Sequence, residues 1–366
     1  MARLLMHFCK KIGYVTTSEP FKRLIVQGMI KGRTFVAKDG RFLNEDDVNI
    51  LNERENRAEE TITGQPVKME WDKMSKSKKN GVDPSELFDE YSVDTIRLIM
   101  LGDAAPKSPR NWSKETFPGI INWQHRLWLL LNEFNKARVD NKIPVPDSND
   151  THYQNEELKL FELRNSMAIR AENYYENAHF NLTIKICRKL TDELRACPRN
   201  IVKYSGQYEQ TVGNLLMTFA PIAPLFASEC WSKFVSVPNR IQSNEKQLNW
   251  DKDVLEQSWP TVDDDYKNLL VIKLNGTKTI LRKGANDPKE ITKEYLLQKA
   301  HEHTALSELL KTQTIEYCNF IQIPNQRTAI NIETSKKKKD KKKNKNNKEK
   351  KDQSDSQHTD ADIQPK

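Results

Sequence analysis

Lys73-Met74-Ser75-Lys76-Ser77, continued by Lys78-Lys79, puts four lysines and two hydroxyls into seven residues. A lysine ammonium is a compact charge on a flexible stem, so it can follow a phosphate whose geometry changes during a reaction. Cations placed where charge develops act on the transition state, and a departing pyrophosphate is such a place. Lysine runs also decorate solvated surfaces, and a second one spans Lys336 to Lys351, so the neighbouring residues decide between the two readings. The alternation Val67-Lys68-Met69-Glu70-Trp71 predicts a strand ahead of the lysines. Asp83-Pro84-Ser85-Glu86 predicts a helix start behind them, with an N-cap, a proline at the first position and an early acid. The lysines are therefore expected on a strand-to-helix loop that can clamp a polyphosphate.

The elements around this loop are legible in turn. Met1 to Ile12 reads as a basic helix, and Leu24 to Ile30, nearly all apolar, as a buried parallel strand with Gly28 near its end. Between residues 31 and 70, Gly32, Asp39-Gly40, Gly64 and Pro66 punctuate short hairpins. Leu87, Phe88 and Tyr91 share a helical face, and a second helix opens at Ser92 or Asp94, where Asp94 and Arg97 stand at pairing distance along a helix. From Phe117 to Glu256 the pattern is helical. Ile120, Trp123, Leu127, Leu130, Leu131 and Phe134 make one stripe, and further helices are predicted near 154–178, 180–196 and 205–219 before Ala220-Pro221-Ile222-Ala223-Pro224 breaks the chain. A small α+β unit follows, with strands over 269–276, 279–282, 314–323 and 328–332 around a helical stretch at 288–309.

Charge is unevenly spread along the 366 residues. Thr334 to Lys366 holds 12 lysines and 6 acids, which is +6 of the net +8 and leaves +2 for everything before it. That segment has almost no apolar residue to offset its ordering entropy, so a disordered basic tail is expected there. Any RNA partner of the body must then be met by local basic faces. Five widely spaced cysteines without a C-x-x-C pair argue against a disulfide scaffold or zinc site and fit a reducing compartment. His301 and His303 fall on different faces of a helix and read as solvated rather than metal-binding. No run approaches the roughly 18 consecutive apolar residues of a membrane span.

These residues resemble leucyl-tRNA synthetase, a class I aminoacyl-tRNA synthetase, over residues 2–333. The resemblance rests on the lysine loop with its continuation Asn80-Gly81-Val82-Asp83-Pro84, on Gln27-Gly28-Met29, on the proline-linked helix pair and on the order of elements; Pro118 to Trp128 is similar to the mitochondrial form. It implies a multi-domain, mainly α chain. A partial Rossmann-like α/β segment at 1–82 would end the catalytic domain, followed by a helical connector at 83–116 and an α-helical anticodon-binding bundle at 117–260. A small α+β tRNA-binding domain at 265–333 and the tail at 334–366 would complete it. By the same resemblance, Lys76 is the main catalytic contact to the departing phosphates of ATP and Lys73 a second cation. Ser75 and Ser77 support them, Met74 anchors the loop, and Gly28 and Met29 touch adenine. Lys278, Arg282 and Lys283 are implied as tRNA contacts, although the chain has Asn275-Gly276-Thr277-Lys278 where the family often has Asn-Gly-Lys.

The implied partners are tRNA-Leu, ATP and leucine, with Mg2+ accompanying ATP, no protein-bound metal, a monomeric state and a mitochondrial matrix location with the cytoplasm as the alternative. The family's His-Ile-Gly-His signature has no counterpart, because none of the seven histidines is followed by x-Gly-His. The resemblance is thus to a C-terminal portion of a leucine–tRNA ligase lacking the N-terminal half and expected to be inactive by itself. A non-catalytic tRNA-binding protein derived from that half is the alternative.

Overall fold

Leu4, Leu5, Phe8 and Ile12 line one side of α1 (Ala2–Lys11) and its C-terminal end, and none of them is buried. The computed structural model describes residues 1–53, 55–147, 149–241, 248–284, 286–323 and 326–336. They fall into two compact units, Met1–Tyr266 and a second that begins at Lys267.

In the first unit, β1 (Ile30–Val36), β2 (Phe42–Leu43), β3 (Val48–Asn52), β4 (Arg57–Glu60) and β5 (Pro66–Lys73) form an antiparallel sheet in the order β2-β1-β5-β4-β3. The short β6 (Arg110–Asn111) adds to β1 in parallel. Alternation along the strands puts Phe35, Leu43, Val48, Ala58, Val67 and Met69 into one small core. Asp39-Gly40 closes the β1–β2 hairpin, with the Gly40 N–H donating to the Ala37 carbonyl at 2.9 Å. The strand expected over Leu24 to Ile30 is displaced: β1 starts at Ile30, and Leu24, Val26 and Met29 are exposed. A buried strand needs ladder partners, and the partners of β1 pair only from Ile30 onward.

Past the lysines, Asp83 caps α2 (Pro84–Glu90) by accepting the Ser85 N–H at 2.8 Å, with Pro84 at the first helical position. Ser92 caps α3 (Val93–Gly102). The bundle is built from α4 (Phe117–Val139), α5 (Thr151–Glu176), α6 (Phe180–Arg195), α7 (Arg199–Tyr204), α8 (Gly206–Phe219) and α9 (Pro224–Val235). The predicted stripe of α4 is buried against α6, α7 and α9 and meets α8 through Trp123–Phe219 and Phe134–Tyr208 ring contacts, and the Trp123 indole N–H donates to Thr191 at 2.9 Å. Two buried ion pairs tie the bundle together: Arg138 with Glu209 at 2.7 Å, and Arg164 with Asp263.

Asp94 and Arg97 do not pair with each other. Both hold the proline corner between α8 and α9. The Arg97 guanidinium donates to the carbonyls of Ile222 at 2.6 Å and Pro221 at 3.1 Å, and Asp94 accepts the Phe226 N–H at 2.7 Å. Prolines at 221 and 224 interrupt the helical ladder, and the stranded carbonyls and N–H need partners; α3 supplies an acid for one end and a base for the other.

The second unit has a four-stranded sheet in the order β8-β7-β10-β9, formed by β7 (Leu269–Leu274), β8 (Thr277–Arg282), β9 (Gln313–Ile321) and β10 (Thr328–Lys336). β10 carries Thr334–Lys336 into the sheet, and the expected disordered tail beyond them lies outside the described residues. The helical stretch expected at 288–309 is two helices, α10 (Lys293–Glu302) and α11 (Thr304–Thr312), separated by His303 in extended conformation. Leu270, Ile272, Leu274, Ile330 and Ile332 pack on Leu296, Ala300, Leu306 and Leu310 of these helices. Replacing Asp94 by Ala is expected to lower the stability of the first unit by about 1–2 kcal/mol, the loss associated with a helix cap. Asp94→Asn, which keeps an acceptor, should lose less; urea unfolding of both variants checks this.

Candidate functional site: a lysine loop at the end of a strand ladder

β5 ends at Lys73, directly across the ladder from Lys31 of β1, and the Met74 N–H donates to the Ile30 carbonyl at 3.3 Å. The loop then makes a 3-10 turn over Lys76–Lys78, with Ser75 at its N-cap and Lys79 in the left-handed region at φ 53°. Ser75 and Ser77 face each other, their hydroxyls 3.2 Å apart. Lys73, Lys76 and Lys79 are exposed, and none makes an ion pair among the described residues. Lys78 is different: half-buried, its ammonium is held by Asp72. That hydrogen bond, then the Lys73 N–H and the charge of Lys31, hold the Asp72 carboxyl below its ordinary value of 3.8. Three ammonium groups are thus left for an anion while the fourth is paired with Asp72 near the end of β5.

The polar groups beneath the lysines converge on Asn80, which is buried. Its Oδ1 accepts the Ser75 N–H at 2.8 Å, and its Nδ2 faces Thr34 Oγ1 at 2.7 Å and the carbonyls of Lys73 and Asp72 at 3.2 and 3.3 Å. A Cβ at Gly32 would overlap the Asn80 carbonyl, so β1 needs glycine there for the loop to close down on it. In the sequence Asn80 is only one letter of the loop's continuation; its burial under the lysines is what singles it out.

Gly28 and Met29 lie at the same end of the β1–β5 ladder as Lys73 and Met74. The Gly28 N–H donates to the Pro106 carbonyl at 2.7 Å, and a Cβ at Gly28 would overlap the Ser108 carbonyl, so its glycine is required by a close approach within the chain. The Met29 carbonyl accepts the Arg110 N–H at 2.9 Å, and its side chain is exposed. Beside them a cavity of about 290 Å³ is lined by Gln27, Gly28, Ile30, Met100 and Arg110, among others. The Arg110 guanidinium also donates to the Met100 carbonyl at 2.6 Å and so caps the C-terminal end of α3.

In the second unit, Lys278 and Arg282 occupy alternate positions of β8 and share its face, opposite the one that packs on α10 and α11. Lys273 of β7 stands directly across from Lys278 and joins them. The two-residue Asn275-Gly276 turn fixes that register, so Lys273 was deducible from the sequence. Lys283 falls past the strand, its ammonium donating to the Lys289 carbonyl at 2.8 Å. Asn275 itself is tied to β10, its side chain bonding the N–H and hydroxyl of Thr334. Among the described residues no cluster of His, Cys, Asp and Glu is arranged to hold a metal ion, and no helix is long and apolar enough to cross a membrane.

The model for the anticodon-binding domain of tRNA ligase matches residues 159–351, more than half of the chain, and that for class I tRNA synthetases (I, L, M and V) matches residues 61–113, which include the lysine loop. A probable mitochondrial leucine–tRNA ligase of Pongo abelii is 34% identical over 268 residues, 72% of this chain. This chain belongs to the leucine–tRNA ligase family. A leucine–tRNA ligase of Bradyrhizobium sp. (strain ORS 278) is 29% identical over 287 residues. The chain spans 29% and 31% of the length of these two relatives. The crystal structure of a ternary complex of Agrobacterium radiobacter K84 agnB2 LeuRS, tRNA and LeuAMS superposes with a TM-score of 0.53 at 19% identity, covering 91% of this chain and 35% of that one; it shares the fold. The family is one of aminoacyl-tRNA synthetases, with a partial class I fold and a helical anticodon-binding domain here.

The Asp72–Lys78 pair has a definite pH signature. A folded carboxyl below its unfolded value contributes above the unfolded pKa and loses that contribution as pH falls through the folded value. NMR titration of Asp72 should give a midpoint below 3.8, rising toward that value in Lys78→Met.

Proposed function

We propose that this chain serves leucine–tRNA ligation, charging tRNA-Leu through leucyl-adenylate, and that its lysine loop holds the β- and γ-phosphates of ATP. The observation that carries this reading is the set of exposed ammonium groups of Lys73, Lys76 and Lys79, without an ion pair among the described residues, on a loop whose backbone is fixed from below. As the leucine carboxylate attacks the α-phosphate, charge grows on the departing pyrophosphate. Lys76, in the 3-10 turn, and Lys73, at the strand end, are the cations assigned to neutralise it. Mg2+ supplies further charge neutralisation as a companion of the nucleotide.

Gly28 and Met29, at the same end of the ladder, are assigned to the adenine, with Met74, Ser75 and Ser77 shaping the loop. The work divides as catalytic segment 1–82, connector 83–116, bundle 117–260, RNA-binding unit from Lys267 to the end of β10 at Lys336, and a basic tail after it. Lys278 and Arg282, with Lys273, are assigned to tRNA phosphates, and Lys283 to the edge of that patch. The similarity to mitochondrial enzymes supports the mitochondrial matrix as the site of action.

ATP binding to the purified chain, followed by isothermal titration calorimetry, tests the clamp. Lys76→Ala should weaken it about tenfold, the worth of one charge-assisted hydrogen bond; unchanged affinity would remove the loop from the nucleotide site. For the RNA face, the double variant Lys278→Ala, Arg282→Ala should flatten the salt dependence of tRNA-Leu binding by about two in log–log slope. A slope equal to that of the unmodified chain would assign the RNA contacts elsewhere.

A further inference from the structure

We propose that Asn80 is the positioning residue of the lysine loop: it acts through the backbone of Ser75 to fix where Lys76 meets the polyphosphate. The proposal rests on the reading of the loop as a phosphate clamp. Lys31, Lys73, Lys76, Lys78 and Lys79 crowd one end of the β1–β5 ladder, and like charges at that density push a free loop apart. Among the described residues only one of these lysines has an ion pair, Lys78 with Asp72. The 3-10 turn has no side-chain cap, and the residue that closes it, Lys79, sits at a positive φ that a lysine adopts at a cost. Local propensity therefore does not hold the loop in shape.

Asn80 does. One amide reaches the loop entry through the Asp72 and Lys73 carbonyls, the loop centre through the Ser75 N–H and the neighbouring strand through Thr34. The direction of the amide follows from its neighbours. The Thr34 hydroxyl donates to the Gly32 carbonyl at 3.1 Å, so it turns a lone pair toward Asn80 and requires the NH2 there. The Oδ1 is then left for Ser75. Aspartate has the right length and the wrong chemistry, because its second oxygen would face three acceptors. Alanine would leave the Ser75 N–H and the Thr34 hydroxyl without that partner.

The experiment measures the affinity of the full chain for inorganic tripolyphosphate by calorimetry in four forms: unmodified, Lys76→Ala, Asn80→Ala and the double variant. Amide exchange at Ser75 is read in parallel. Asn80→Ala is expected to weaken tripolyphosphate binding about tenfold in the unmodified background and less than twofold once Lys76 is gone, with faster exchange at Ser75. Thr34→Val, near-isosteric and in place of an acceptor, should move both readouts the same way by a smaller amount even if Asn80→Ala fails to fold. Equal losses in both backgrounds would mean that Asn80 only stabilises the sheet, and would overturn the proposal. An effect of Lys76→Ala with none from Asn80→Ala or Thr34→Val would overturn it and leave the clamp standing. No effect of Lys76→Ala would remove the clamp reading and this proposal together.

Discussion

The grip of α3 on the proline corner is the constraint from which the first unit is organised. Ile222 and Ala223 are buried, so the helical ladder is broken at the edge of the core, where its orphaned carbonyls need partners. Arg97 satisfies two of them, and Asp94 satisfies the first turn of α9. The other end of α3 is closed by Arg110, whose own N–H holds Met29 beside the lysine loop. A continuous set of hydrogen bonds therefore runs from the sheet through one helix into the bundle. Side chains with a fixed length fix the spacing of the two.

Charge is used in two opposed ways along this path. In the bundle, Arg138 and Glu209 are almost wholly buried and face each other, and Arg164 meets Asp263 and Gln207. Removing either partner of such a pair would strand a desolvated charge, so these groups enforce geometry. At the loop the lysines stay hydrated and are left with capacity for another anion. Arginine, with its planar fork, does the structural work; lysine, with its flexible stem, is kept where a ligand would move.

Much of this was legible in the sequence because it is local. The strand before the lysines, the cap at Asp83, the stripe of α4, the break at Ala220–Pro224 and the hairpin at Asn275-Gly276 each follow from neighbours within a few residues. What was missed depends on distant partners. Leu24 to Met29 is apolar enough for a buried strand, yet its neighbours here are a few backbone groups of residues 106–110. Asp94 and Arg97 stand at helical spacing, but groups more than a hundred residues away compete for them and win. Asn80 looked like motif punctuation because a buried amide and an exposed one are the same letter. His303, which splits the expected helix into α10 and α11, carries no breaker signal at all.

The sheet of the second unit has a consequence for how it comes into being. Its interior strand β10 is the last of the described strands in chain order, and it pairs in parallel with β7, whose other neighbour β8 was made far earlier. On the ribosome, the β7–β8 hairpin emerges with one edge open, and a lone hairpin is marginal in water. It must wait for α10, α11 and β9 before the strand that covers that edge arrives, and pairing of such long range is slow to form. The unit is therefore completed from the middle, and a nascent chain stalled before Thr328 would display the unpaired backbone of β7 to whatever lies nearby.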